Sequence, residues 1–215
     1  MRQVFSFLIA CALLAATPVA HAGNENPLAQ AEAAFKELTT YTAILRSYAG
    51  GTENIRFFYK KPGFIRMEFI SPHKGALLAY NPETGKVRLR PFGAIKPLII
   101  TLSPGNRLIR SPRGHTVDRS HLGALIENAR IIEGSGSLKT LGVEEINGRM
   151  ALKVEVKAQE GFESDGVNRH LLWLDSETHL PIKAEGYDAE GELIEGVFID
   201  GLLVGVPISN SLFSP

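Results

Sequence analysis

The chain predicts a mainly β fold with a few α-helical segments: a strongly curved antiparallel sheet forming an incomplete barrel, with helices able to plug its mouth. Three observations predict it. Turn residues recur about every ten positions, and the 21 glycines and 12 prolines are spread along all 215 residues rather than gathered in a linker, as an all-β domain requires. Between the turns, apolar and polar residues alternate, with Ile65, Met67 and Phe69 on one face and Arg66 and Glu68 on the other, so the sheet has one dry face and one wet one. Only two stretches of any length have helical spacing. Two short helices cannot cover a flat sheet of about nine or ten strands, so the dry face is expected to curl inward on itself.

The first element is an export signal. Arg2 supplies the positive start, residues 4–16 are nearly all apolar, Pro18 breaks the run, and Ala20-His21-Ala22 is a small-x-small cleavage pattern. Cleavage is expected before Gly23, making 1–22 a signal peptide and 23–215 a single soluble domain in the periplasm. The apolar run is shorter than the roughly 20 residues of a spanning helix. A competing reading takes Leu8-Ile9-Ala10-Cys11 as a lipobox and Cys11 as a lipid anchor; that cut would leave a very short apolar core in the signal and an apolar tail on the mature chain.

Once the signal is gone no cysteine remains, which excludes disulfide frameworks, thiolate metal sites and cysteine nucleophiles. Its loss takes Arg2 and no acid, leaving 22 basic residues against 23 acidic ones. That balance argues against a nucleic-acid partner.

The mature chain begins with a helix. Asn26-Pro27 is a cap followed by proline at the first helical position, and Leu28, Ala31, Phe35 and Leu38 make one apolar stripe. The helix should end near Tyr41, where Thr39, Thr40 and Thr42 lower helix propensity. An extended segment over 43–48 then turns at Gly50-Gly51. Residues 54–91 form a meander broken at Lys61-Pro62-Gly63, Ser71-Pro72-His73-Lys74-Gly75 and Asn81-Pro82-Glu83-Thr84-Gly85. Residues 92–104, apolar on both faces and bounded by prolines, are either a buried strand or a flap, and the core strand is the preferred reading.

Arg107, Arg110 and Arg113 follow in a loop around Ser111-Pro112, where they either meet anionic head groups or are simply solvated. Asp118 is expected to cap a second helix with Leu122, Leu125, Ile126 and Ala129 on one side. Past Gly134-Ser135-Gly136 the strands return, with Asn147-Gly148 as the strongest hairpin signal and unbroken alternation from Leu152 to Lys157.

Motifs that carry chemistry are missing. His73, His115, His121, His170 and His179 show no HExxH or other tight ligand spacing, so no metal is expected. There is no Gly-x-Ser-x-Gly elbow and no Walker sequence, and Gly134-Ser135-Gly136 lacks the context of a phosphate loop. An enzyme is not expected, and neither is a cofactor.

One resemblance does emerge. The amphipathic N-terminal helix, the strand ending in Lys61-Pro62, then Phe64-Ile65-Arg66-Met67 and Leu77-Leu78-Ala79-Tyr80-Asn81-Pro82 resemble the periplasmic lipoprotein carriers of the LolA and LolB type. Pro72-His73-Lys74-Gly75, Leu102-Ser103-Pro104 and Gly123-Ala124-Leu125-Ile126-Glu127 look closest to a branch called domain of unknown function 1571. The resemblance covers most of the mature chain. It implies a LolA-like half-barrel around an apolar cavity, covered by a helical lid, that takes up acyl chains of lipids or lipoproteins. Such carriers latch the lid with an arginine where this chain has Lys61, and lysine lacks the planar fork that bonds several carbonyls.

On this reading Phe57, Tyr59, Ile65, Met67, Phe69, Leu78, Val87, Leu89 and Trp173 line the ligand cavity, against the plainer reading that they fill a core. Leu28, Phe35, Leu38, Leu122, Leu125 and Ile126 form the lid and Lys61 its latch. The expected partners are lipid or lipoprotein acyl chains, with envelope membrane proteins as further candidates, and the chain is expected to be a monomer. The alternative is an envelope sensor or scaffold that binds a partner protein through the same fold.

Overall fold

Alternation along the chain resolves, in a computed structural model, into one antiparallel sheet; the structure describes residues 26–49, 51–91 and 98–214. The segment read above as an export signal, with Cys11, and the run Phe92-Gly93-Ala94-Ile95-Lys96-Pro97 lie outside these residues.

The N-terminal half holds β1 (Thr40–Ala49), β2 (Asn54–Lys60), β3 (Phe64–Ser71), β4 (Leu77–Asn81), β5 (Lys86–Arg90) and β6 (Ile100–Leu102). The C-terminal half holds β7 (Gly136–Ile146), β8 (Arg149–Ala158), β9 (Arg169–Asp175), β10 (Pro181–Tyr187) and β11 (Leu193–Val204). Within each half every strand pairs with its neighbour in sequence, and β11 then lies beside β1, giving the order β6-β5-β4-β3-β2-β1-β11-β10-β9-β8-β7. Among the described residues one non-local strand pairing joins the two meanders, with Tyr41 opposite Val204 and Arg46 opposite Phe198. The curved sheet does not close, so the incomplete barrel expected from the sequence is the observed architecture. The Asn147-Gly148 hairpin also forms, with both residues at positive φ (50° and 82°).

Helix α1 (Pro27–Glu37) starts where its stripe predicted, the Asn26 side chain accepting from the backbone N of Leu28 and Ala29. It ends at Glu37 rather than near Tyr41, because Leu38 is already extended and the threonine-rich segment joins the sheet from Thr40. Helix α2 (Leu122–Ser135) is not capped by Asp118, which lies in the 3-10 turn Val117–Arg119; its cap is His121, whose side chain accepts from Ala124 N. It also runs through Gly134 to Ser135, so the glycine-serine break is the helix end itself.

The described part of 92–104 is a correction as well. Strand β6 is three partly exposed residues pairing only with β5, and Leu98 is 43% exposed. Among the described residues nothing pairs beyond it, so there this strand is an edge and not a buried core strand.

Two clusters make up the core. Leu28 and Ala31 of α1 and Ile126, Ala129 and Ile132 of α2 pack onto Val154, Val156, Leu172, Leu174 and Ala184 of the C-terminal half. The dry face of the N-terminal meander is covered instead by Ile109, Val117 and Leu122, with Phe35 and Leu38 at its margin.

Candidate ligand-binding cavity

Between α2 and the splice of β1 and β11 the two clusters leave a gap. Strands β1 and β11 present Leu45, Val197 and Ile199 to it, β10 presents Ala184, and α2 presents Leu122 and Leu125. Across the mouth runs a strap, residues 103–121, whose Arg113 and His115 reach the cavity. The volume of this half-open cavity is about 300 Å³.

The apolar wall follows from strand alternation, since inward positions along β1 and β11 are two residues apart. The roof follows from the start of α2: its first N–H groups have no partner within the helix, and Leu122 N donates to the buried Tyr41 hydroxyl at 3.1 Å while Ala124 N donates to His121 Nδ1 at 3.2 Å. Burial raises the Tyr41 hydroxyl well above the usual phenol range, so it stays neutral. Packing also fixes α2 against α1: a Cβ on Gly123 would lie 2.2 Å from the Phe35 ring, so only glycine admits that ring.

One end of the cavity is polar. His115 Nε2 and Glu195 Oε2 lie 3.0 Å apart, and the Arg113 guanidinium passes 3.9 Å from the same carboxylate oxygen. Glu195 reaches this place by lying across Gly186, where a Cβ would be 2.7 Å from its Cγ. Arg113 Nη2 donates to the Asp165 carbonyl at 3.2 Å, while its Nε is buried without a hydrogen-bond partner. Deeper in, His170 Nε2 pairs with Asn128 Oδ1 at 2.8 Å and Asn128 Nδ2 donates to Ser164 Oγ at 2.8 Å.

Charge states follow from these contacts. The hydrogen bond to Glu195 raises the His115 pKa against the opposing effect of burial. Burial works against the Glu195 carboxylate, but the His115 hydrogen bond and the surrounding positive charge outweigh it and hold Glu195 below the usual range. Burial lowers His170 and takes His121 down to about 4, so both are neutral at pH 7.

The residues expected to line a cavity sit elsewhere. Phe57, Tyr59, Ile65, Met67, Leu78 and Val87 are buried in the core of the N-terminal meander, and Phe69 and Leu89 pack partly buried against it. None borders the 300 Å³ cavity. The strap and α1 fill the space over that dry face, which the sequence alone could not reveal. Trp173 alternates away from Leu172 and Leu174; its Nε1 donates to Glu144 at 2.7 Å, and Lys183 and Lys153 sit 3.9 and 4.9 Å from its ring centre.

Of the proposed lid, Leu122 and Leu125 do border the cavity. Leu28 and Ile126 are instead locked in the second cluster, and Phe35 and Leu38 pack on the first. Lys61 Nζ donates to the carbonyl of Lys36 at the end of α1, so a lysine does stand where the helix ends, holding one carbonyl. Sequence reasoning missed Asn128, Asp165 and Glu195 and named His115 and His170 only to set them aside as metal ligands; the five are far apart in the chain and share no spacing. It had singled out Arg113 together with Arg107 and Arg110; those two are exposed. Among the described residues no group of three or more His, Cys, Asp or Glu is placed to hold a metal ion, and no helix is long and apolar enough to cross a membrane.

Comparison with known proteins gives the family context. Residues 99–215 match the family model described as the MucB/RseB N-terminal domain. No curated protein matches the chain. Among solved structures, an uncharacterised conserved protein from Thermus thermophilus superposes with a TM-score of 0.54 at 11% identity, covering 88% of this chain and 91% of that one. MucB of Pseudomonas aeruginosa, solved as a MucA/MucB complex, gives 0.53 at 15% identity over 87% of this chain and 59% of the other. The lipoprotein LppX of Mycobacterium tuberculosis gives 0.52 at 11% identity over 85% and 95%. At these identities the likeness is one of fold. The fold is LolA-like, as the resemblance implied; the family model that matches is the MucB/RseB one, and the finer placement in domain of unknown function 1571 is not shown.

Proposed function

This chain belongs to the MucB/RseB N-terminal domain family, and from that premise we propose that it is an exported binding protein of the bacterial envelope that holds the acyl chain of a lipid or lipoprotein in the cavity beneath α2. The observation that carries this reading is the cavity itself: an apolar wall of Leu45, Leu122, Leu125, Val197 and Ile199, a polar end, and a mouth crossed by a strap with few buried side chains. Burying methylenes there contributes about 0.8 kcal/mol each. Retention therefore needs no nucleotide and no covalent chemistry, in keeping with a carrier rather than an enzyme.

The test is native mass spectrometry on the full chain, expressed with its export signal and purified from the periplasm without detergent, beside a solvent-extracted sample. A lipid-sized mass lost on extraction supports the reading. Ligand-free protein that also fails to take up an apolar fluorescent probe overturns it. The mass would at the same time report whether the chain starts at Gly23 or carries a lipid on Cys11.

A second reading has its own support, since MucB was solved in complex with MucA. By that analogy this chain would bind a partner protein in the envelope, using exposed surface such as the edge strand β7, where Leu141 and Val143 are about half exposed. Capture of a defined envelope protein by the extracted, ligand-free protein would favour it.

A further inference from the structure

Charge is balanced over the whole chain but not along it. From Thr84 to Val117 the sequence holds no Asp or Glu, although the chain carries 23 basic and 23 acidic residues. Outside that stretch every described arginine lies within ion-pairing distance of a carboxylate. Inside it Arg113 reaches Glu195, whereas Arg88, Arg90, Arg107 and Arg110 have no such partner among the described residues. We propose that this end of the sheet docks on an anionic phospholipid bilayer, with Arg107 and Arg110 meeting head-group phosphates and Leu108 between them entering the interface. The inference goes beyond the cavity and does not depend on its occupant.

Topology gathers the four arginines. Strand β5 carries Arg88 and Arg90 two residues apart, hence on one face, and pairs with β6 so that Arg88 stands opposite Thr101 and Val87 opposite Leu102. The strap leaves β6 at Ser103, and the Arg110 guanidinium lies back over Gly105, where a Cβ would be 3.3 Å from its Nη2. The arginines without counter-ions thus share the β5–β6 end of the sheet. Cations grouped without acids raise the local potential and favour a partner of opposite sign.

Leu108 favours a bilayer over an acidic protein. It is 75% exposed, more than any other large apolar side chain described. It is also held in place: Leu108 N donates to Asn106 Oδ1 at 3.0 Å, Ile109 N donates to the Asn106 carbonyl at 3.1 Å, and Ile109 is buried in the core. The turn therefore anchors one side chain inward and holds its neighbour out, between the exposed Arg107 and Arg110. An apolar side chain flanked by cations suits the boundary of head groups and acyl chains, where apolar burial and attraction to phosphate add. An acidic protein surface would match the arginines but not Leu108.

The experiment sediments the full chain, expressed with its export signal and purified from the soluble periplasmic fraction, with vesicles of phosphatidylcholine alone or with about one-third phosphatidylglycerol. The protein should partition onto the anionic vesicles and not the neutral ones, and should be released at about 0.5 M salt, where charges are screened within a few ångströms. Arg107→Gln combined with Arg110→Gln should lower partitioning about twenty-fivefold, each arginine near such a surface contributing about fivefold. Leu108→Ser should weaken it several-fold without altering the salt dependence. Lys139→Gln combined with Lys157→Gln makes the same charge change on exposed residues of β7 and β8, at the opposite end of the sheet, and should change it by less than about twofold. No vesicle binding, equal binding to both vesicles, or an equal loss in the lysine pair overturns the proposal. Retention on immobilised poly-glutamate without vesicle binding assigns the arginines to an acidic protein and overturns it too. Apolar dye uptake should persist in every variant, since none of these residues borders the cavity, so failure here leaves the acyl-chain reading standing. Circular dichroism confirms folding, and Leu108→Ser carries the test if the arginine pair does not fold.

Discussion

His121 ties the cavity to the helix above it. Its Nδ1 accepts from Ala124 N and its ring stacks on Phe35 at 5.6 Å with 4° between planes, so it is both the cap of α2 and part of the α1 contact. Accepting at Nδ1 requires the neutral ring with its proton on Nε2. Burial, then the nearby Arg119, lowers its pKa to about 4, against the opposing pull of Glu127 and Asp118. A histidine depressed in the folded state contributes stability that is complete above its unfolded pKa of about 6.5 and is lost as pH falls through the folded value. Urea midpoints measured at descending pH should therefore decline from about pH 6.5 toward pH 4. His121→Asn keeps a cap acceptor and should flatten that decline without abolishing it, since burial depresses His170 in the same direction. An equal slope in His121→Asn would refute the assignment. His115 runs the opposite way: raised by Glu195, it holds the strap most firmly below about pH 6.5, and that hold weakens as pH rises through its raised pKa.

Among the elements, α2 and the strap differ in how firmly they are held. Helix α2 buries Leu122, Ala124, Ile126, Ala129 and Ile132, whereas the strap buries only Ile109 and Val117. The strap is therefore the element whose local opening costs less, and α2 is the more firmly packed of the two. Gly123→Ala tests the fixed contact. The new methyl would meet the Phe35 ring at 2.2 Å, and overpacking of this kind costs about 1–3 kcal/mol, read as a lower urea midpoint. Pairing it with Phe35→Leu should recover part of the loss, because the obstructing ring is gone.

At the scale of the whole molecule, the candidate cavity opens at the splice of β1 to β11, beside the filled part of the meander rather than within it. The N-terminal meander is a filled core, while the gap opens where inward positions of β1, β10 and β11 face α2. Phe57, fully buried in the meander, should separate the two. Phe57→Ala is expected to cost about 3–5 kcal/mol in denaturant unfolding, as large-to-small aromatic core changes do. Dye uptake per folded molecule should be unchanged, since Phe57 does not border the cavity. Loss of uptake with only a small change in stability would place the site back in the meander.

By itself the sequence determined the class of fold. Period-two alternation, the turn residues between strands, Asn147-Gly148 and the Asn26-Pro27 helix start act over a few residues, so they are legible without knowing what lies nearby. Lys61 beneath the end of α1 was legible too, through resemblance. Only the tertiary structure decided which dry surface was filled and which was left open. Phe57 and Leu45 are both inward, apolar positions in neighbouring strands, yet Val117 and Ile109 of the strap help close the space over the first face, and the second borders a gap. The polar end depended on it even more: Arg113, His115, Asn128, His170 and Glu195 meet because β11 inserts beside β1 and the strap crosses toward it. Contacts of that kind are set by chain topology, which no local pattern of residue types encodes.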